Sequence, residues 1–139
     1  MCLIIEKTVV AQIATEDINA FKVLDKGAKS PIQQFPYIQE QLYKTDIAES
    51  NHMCCSDSVA EKFIRKKYEN WTENLNLKAI GKGFHALTTL ERAKVYMEIC
   101  SSDHVYSCII PKGSIYYTSE TEEIVSNQII IQNEIICQN

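Results

Sequence analysis

The sequence lacks a continuous apolar segment of the roughly 20 residues that a helix needs to cross a bilayer. It also lacks a basic stretch before its first apolar residues, and Glu6 and Lys7 interrupt that apolar run after only a few positions. We therefore expect no membrane span, no secretory signal and a cytoplasmic location.

Positive charge is scarce as well, with 14 Lys and Arg against 18 Asp and Glu and a net charge of −4. The only basic cluster is the short "RKK" at residues 65–67. Because duplex nucleic acid requires a basic face, this composition argues against such a partner. A small anionic ligand is still compatible, since a single pocket needs only a few donors.

The six cysteines do not form a recognisable metal or disulfide pattern. Without an export signal, we expect them to be reduced thiols that pack as small apolar groups. His52, Cys54 and Cys55 lie close together, but a structural zinc site takes paired ligands with two or more residues between them, and no second pair is present. The sequence therefore predicts no metal site. A Cys–His nucleophilic pair stays open, because such partners meet in space and not in sequence.

The length of 139 residues and the hydrophobic share of 45% predict one ordinary domain spanning residues 1–139. Residues rich in β-branched and aromatic side chains predict strands. These segments are "CLIIEKTVV", "INAFKVL", "HVYSCII", "IYYT" and "EIVSNQIIIQNEII", the last as one long or two short strands.

One helix is predicted after residue 87, where Thr88 and Glu91 form a capping box and apolar residues follow at helical spacing. A second helix is predicted in "DSVAEKFIRKKYENW". Strands at both ends with helices between them predict an α+β fold of mainly antiparallel sheets with one or two helices. The segment from Ile124 to Cys137 is either a central strand or an edge that pairs with a second copy, which would make a homo-oligomer.

The run "AIGKGFHALTTLERAKVYM", residues 79–97, holds two glycines, an aromatic residue and a histidine. "GKG" alone is too short to identify a phosphate-binding loop and is more typical of a bare turn. Phe84, together with Tyr106, Tyr116 and Tyr117, could line an aromatic slot for a base, or pack on half-buried strand faces.

Two stretches resemble the ADP-ribosyltransferases. "GKGFHALTTLERAKVY" is similar to the "GKGIYFA…SA.Y" of the poly-ADP-ribose polymerase branch and to the "GKGFY.TT…A" of bacterial members, and "EEIVSNQIII" is similar to their "NEYIVYDPSQIRI" strand. The pattern of the whole chain also resembles small uncharacterised proteins of gut bacteria and their phages.

The first resemblance implies two small sheets that hold NAD in a cleft, with a His–Tyr–Glu triad. Glu122 matches the glutamate, and His85 stands where the tyrosine belongs. The early strand has Lys22 or Val23 near the position of the expected histidine, and this departure weakens the case for transferase chemistry most.

We therefore expect a protein that binds an NAD- or ADP-ribose-like nucleotide without efficient turnover, with no required cofactor. In a phage, such a protein would capture a nucleotide immune signal. The predicted site comprises Gly81, Lys82, Gly83, Phe84, His85, Lys112, Tyr116 and Glu122. Phe84 and His85 would stack on the ligand, Lys82 or Lys112 would bind phosphate, and Glu122 would accept from a ribose hydroxyl.

Two alternatives belong to other functional classes. One is an active mono-ADP-ribosyltransferase in which Glu122 is catalytic and His85 replaces the tyrosine. The other is a protein-binding inhibitor that uses a sheet edge or the polar middle segment and binds no nucleotide.

Overall fold

The structure is a computed structural model that describes residues 3–25, 28, 35–50, 77–100 and 104–135. In these residues every strand pair is antiparallel and one helix is present, which confirms the predicted mixed α+β class with antiparallel sheets. The elements are β1 (Leu3–Glu6), β2 (Gln12–Ile13), β3 (Ile18–Leu24), β4 (Leu42–Lys44), β5 (Ala48–Ser50), β6 (Leu77–Lys82), β7 (Phe84–Leu87), α1 (Leu90–Cys100), β8 (His104–Ile110), β9 (Ile115–Thr118), β10 (Glu123–Ser126) and β11 (Gln128–Ile135).

The strands form an eight-stranded sheet, in the order β2-β9-β10-β7-β3-β8-β11-β4, and a three-stranded sheet, in the order β1-β6-β5. The final apolar segment makes two strands, and both are interior. β10 pairs with β9 and β7, and β11 pairs with β8 and β4. The central-strand interpretation of this segment is therefore confirmed for residues 124–130, where both strands have a paired neighbour on each side.

The chain passes from the small sheet to the large sheet at Gly83. Gly83 lies between β6 and β7 with φ +146°, in the region that favours glycine. A Cβ atom at this position would lie 2.5 Å from Cγ1 of Val125 on β10. The sharp corner and its close approach to β10 therefore both require glycine.

Alternation along β3 divides its side chains between the two faces of the large sheet. One face carries the principal core cluster, which includes Ala20, Leu24, Cys108, Ile110, Ile124, Ile129 and Ile131. The other face contributes Val23, Leu87 and Val105, and α1 covers it with Ala93 and Met97. A third cluster joins the two sheets through Leu3, Ile5, Ile80 and Val125.

Helix α1 begins one residue later than the predicted capping box implies. The backbone N–H of Arg92 donates to Oγ1 of Thr89 at 3.2 Å, which makes Thr89 the N-cap. The hydroxyl of Thr88 instead donates to the carbonyl of Glu122 at 3.1 Å. The predicted polar side is confirmed, since Glu91, Lys94 and Glu98 are exposed.

The second predicted helix, together with His52, Cys54 and Cys55, lies outside the described residues. Cys108 is free and buried, as predicted for a reduced thiol. Within the part of the chain that the structure describes, no three metal-ligating side chains cluster together. No helix in that part has the length and apolar character needed to cross a membrane.

Candidate functional site

A cavity of about 580 Å³ lies beside the corner at Gly83. It is bounded by the edge strand β4, by β5, and by the chain as it leaves β6 and enters β7. This volume is in the range of pockets that hold small organic ligands. Its lining residues are Phe35, Tyr37, Tyr43, Lys44, Thr45, Ala48, Glu49, Gly81, Lys82, Gly83 and Phe84.

Four aromatic rings line the cavity and contact one another edge to face. The ring centroids of Phe35, Tyr37 and Tyr43 are 4.9 to 5.6 Å apart, and that of Phe84 lies 6.4 Å from that of Tyr37. This geometry is the favourable arrangement for aromatic quadrupoles. The backbone N–H of Ile38 donates to the Tyr43 hydroxyl at 2.8 Å, which helps to hold that ring in place.

The charged residues of the lining give the cavity a positive balance. Lys44 and Lys82 are exposed at its rim. Nζ of Lys82 lies 3.6 Å from Oδ2 of the highly exposed Asp46. Among the lining residues that the structure describes, Glu49 is the one acidic side chain, and its Oε1 lies 2.8 Å from Nζ of Lys78. Lys78 neutralises Glu49, and Asp46 offsets part of the charge of Lys82, so the described lining keeps a positive balance through Lys44 and Lys82.

A third lysine, Lys22, lies beneath the aromatic cluster. Its place on β3 puts it on the same face as Ala20 and Leu24, and only 8% of its surface is exposed. Its Nζ donates to the backbone carbonyl of His85 and lies 5.6 Å from the ring centroid of Tyr37. Since Tyr37 also lines the cavity, the ammonium group is one side chain away from the space that a ligand would fill.

Burial controls the protonation of this region. It lowers the pKa of Lys22 from 10.5 to about 8 and that of His85 from 6.5 to about 3. It raises the pKa of Cys108 to about 12 and also raises the pKa values of Tyr37 and Tyr106. Lys22 is therefore the member of this group that changes charge just above neutral pH, while the other four stay neutral.

The structure brings four of the predicted site residues together, because Gly81, Lys82, Gly83 and Phe84 all line the cavity. His85 follows directly, but its half-buried ring is outside the lining, and its Nε2 lies 3.2 Å from the carbonyl oxygen of Gly81.

The other predicted residues lie away from the cavity. The backbone N–H of Lys112 donates to Asp17 Oδ1 at 2.8 Å, within the turn between β8 and β9. The hydroxyl of Tyr116 donates to Gln12 Oε1 at 2.8 Å. Neither Lys112 nor Tyr116 is among the lining residues, so their predicted contacts with a ligand stay predictions.

Glu122 occupies the turn before β10, with φ +62° and an exposed side chain. Its Oε2 accepts from Oγ1 of Thr89 at 2.9 Å, at the start of α1. In the register of β7 and β10, His85 lies opposite Val125. Glu122 precedes Val125 by three residues, which corresponds to about 10 Å of extended chain. The predicted pairing of His85 and Glu122 across one cleft stays a prediction.

Sequence reasoning missed the aromatic residues Phe35, Tyr37 and Tyr43, and it treated Lys22 only as a departure from a motif. A local signal was present in "FPY", where two aromatic residues flank Pro36, since proline argues against a central strand. Which side chains meet there depends on pairing between β4 and β11, where Tyr43 lies opposite Ile129.

No protein-family model, curated protein or solved structure matches the chain. The resemblance to the ADP-ribosyltransferases therefore stays a prediction, and the cavity itself carries the functional argument.

Proposed function

We propose that this protein binds an anionic aromatic small molecule in the cavity beside Gly83, and that the ligand is a nucleotide of the NAD or ADP-ribose type. One observation carries the proposal. The corner from Gly81 to Phe84, which carries the exposed Lys82, meets three further aromatic rings and the exposed Lys44 around one cavity of about 580 Å³.

Each part of such a ligand has a suitable partner in the lining. A base offers a π-face to the rings of Tyr37, Tyr43 and Phe84, and stacking of this kind contributes roughly 1–3 kcal/mol per base. A phosphate group finds Lys44 and Lys82 at the rim, where a charge-assisted hydrogen bond is stronger than a neutral one.

The contacts of Glu122 favour binding over turnover. The transferase alternative needs this carboxylate beside the ligand, and it is bonded to Thr89 at the start of α1 instead. A protein that binds a nucleotide without consuming it lowers the free concentration of that nucleotide. This behaviour fits the proposed capture of a nucleotide signal.

Titration calorimetry with AMP, ADP-ribose and NAD tests the proposal. We expect Lys82→Ala and Lys44→Ala each to weaken binding by about threefold to tenfold, since each removes one exposed charge-assisted contact. Lys112→Ala is the matched control, because Lys112 is also exposed but lies outside the lining. Absence of binding by all three nucleotides would overturn the proposal, and so would a loss of affinity in Lys112→Ala alone.

A second pair of variants tests the aromatic part of the site. Phe84→Leu keeps an apolar side chain in the core but removes the ring face, and we expect it to weaken binding of adenosine as well as of AMP. Tyr116→Leu removes a ring that packs on the same core cluster outside the cavity. Equal effects of these two variants would argue against stacking on Phe84.

A further inference from the structure

The ring content of the cavity fits two opposite classes of ligand. Aromatic faces attract cations, and cages of several rings are the usual recognition sites for quaternary ammonium groups. If only the rings decided, the cavity would bind such a cation as well as it binds a base. These rings are Phe35, Tyr37, Tyr43 and Phe84.

We infer that Lys22 selects the ligand charge: the buried ammonium group against Tyr37 makes the aromatic cavity reject quaternary ammonium and other cationic ligands and accept anionic aromatic ones. This inference rests on the proposed function of the same cavity and names the residue that decides its ligand class. Lys22 acts as a specificity determinant through Tyr37 and through its field, without being part of the lining.

The position of the ammonium group gives it this effect. Nζ lies 5.6 Å from the Tyr37 centroid, within the distance at which a cation and a ring attract each other. The negative charge of the ring face is thus already engaged by a cation from the protein. A second cation in the cavity would be repelled through the apolar interior, where Coulomb interactions are screened far less than in water.

The lysines at the rim reinforce this selection but cannot replace it. Lys82 has a side chain that is 58% exposed and lies near Asp46, so solvent and a counter-charge both weaken its field. Lys22 is 8% exposed. The buried charge therefore acts on a ligand more strongly for a given separation than either exposed one.

The selection depends on pH, because Lys22 loses its proton above pH 8. The titratable residues around it in the described parts of the chain are Tyr37, His85, Tyr106, Cys108 and, beyond Tyr106, Glu134. The first four stay neutral between pH 7 and 9, and Glu134 pairs with His104 at 2.5 Å. The α-amino group, whose charge acts on His85, also titrates in this range, so a change in ligand preference is assigned to Lys22 where it is absent from Lys22→Met.

The test measures binding of AMP, adenosine and phenyltrimethylammonium to the wild-type protein, to Lys22→Met and to Lys22→Arg, at pH 7 and pH 9. We expect Lys22→Met to lose about tenfold in affinity for AMP, to lose less for adenosine, and to gain measurable binding of phenyltrimethylammonium. The wild-type protein at pH 9 should approach Lys22→Met, whereas Lys22→Arg should keep its affinity for AMP, because arginine stays charged.

The outcomes separate this inference from the proposed function. If Lys22→Met binds AMP as tightly as the wild-type protein and still rejects phenyltrimethylammonium, the inference is wrong and the proposed function stands. If the wild-type protein binds no AMP, the proposed function fails, and a gain of cation binding in Lys22→Met would then support only the rejection of cations by Lys22. Circular dichroism confirms that each variant is folded. If Lys22→Arg does not fold, the comparison of Lys22→Met with the wild-type protein decides whether Lys22 selects the ligand charge.

Discussion

Replacing Lys22 with methionine should change how the stability of the protein depends on pH. Burial lowers the pKa of Lys22 in the native state from 10.5 to about 8. Between these values the unfolded chain holds a proton that the native state has released. The unfolded state therefore binds more protons in this window, and the free energy of unfolding must rise as pH increases from about 8 to 10.5.

The size of this rise follows from the two pKa values. A tenfold change in proton affinity corresponds to about 1.4 kcal/mol, so the difference between the two pKa values changes the free energy of unfolding by about 3 kcal/mol in total. About 2.5 kcal/mol of this change falls between pH 7 and pH 10. Methionine fills the space of the lysine stem and has no proton to release. The stability advantage of Lys22→Met over the wild-type protein should therefore shrink by about 2.5 kcal/mol from pH 7 to pH 10.

Urea denaturation followed by circular dichroism at pH 7, 8, 9 and 10 measures this difference directly. Contributions from other titrating groups cancel, because the comparison is between two chains that differ only at Lys22. The matched control is Lys112→Met, since Lys112 is exposed and its removal should leave the pH profile unchanged. Parallel stability curves for the wild-type protein and Lys22→Met would refute the assignment of a buried, destabilised charge to Lys22.

Three further predictions concern the corner, the helix start and the histidine. Gly83→Ala should destabilise the protein by about 3 kcal/mol in urea denaturation, because its Cβ would clash and its φ is +146°. Gly113→Ala, at φ +89° with no atom within 4 Å of the added Cβ, should cost only about 1 kcal/mol, and equal losses would contradict the steric argument. Thr89→Ala removes the N-cap and should lower Tm, with a loss of about 1 kcal/mol in the free energy of unfolding. Thr88→Ala should lose less stability, because the backbone N–H of residue 88 still donates to the Glu122 carbonyl. For His85, whose native pKa is lowered to about 3, the unfolded state binds more protons below pH 6.5, so stability should fall as pH drops from about 6.5 toward 3. His85→Gln should flatten this acid-side slope in denaturation curves, and an unchanged slope would contradict a histidine ring that stays neutral in the native state.

Strands with strong local patterns could be predicted from the sequence, and β3, β8 and β9 match the predicted segments. The strands β6 and β7 could not, because Gly81 lies within β6 and Gly83 between the two strands, and glycine is depleted in strands. Their conformation is decided by long-range pairing, such as that of Ile80 with Leu3 on β1. The N-cap was off by one residue because Thr88 and Thr89 are chemically equivalent candidates, and only the tertiary contacts of Glu122 separate them.

The candidate site was partly predictable for the same physical reasons. Gly81 to Phe84 were predicted from the resemblance of this stretch to a motif of the ADP-ribosyltransferases, because "GKG" alone is too short to identify a site. Tyr37 and Tyr43 join them only through the packing of distant segments, which leaves no local trace. Lys22 was missed as a site residue because a lysine in a strand is normally exposed, and lysine is rarely buried without a partner.

The cost of burying Lys22 links the stability of this fold to its proposed ligand. A penalty of about 3 kcal/mol is large beside the 5–15 kcal/mol that typically separates a native domain from its unfolded state. Methionine or leucine would fill the same space without this penalty, so packing alone does not account for the ammonium group. An anion in the cavity would offset the penalty by favouring the charged form of Lys22, and linkage requires the same coupling in both directions. Occupation of the cavity by an anion should accordingly raise the pKa of Lys22, and protonation of Lys22 should tighten the binding of the anion by the same factor.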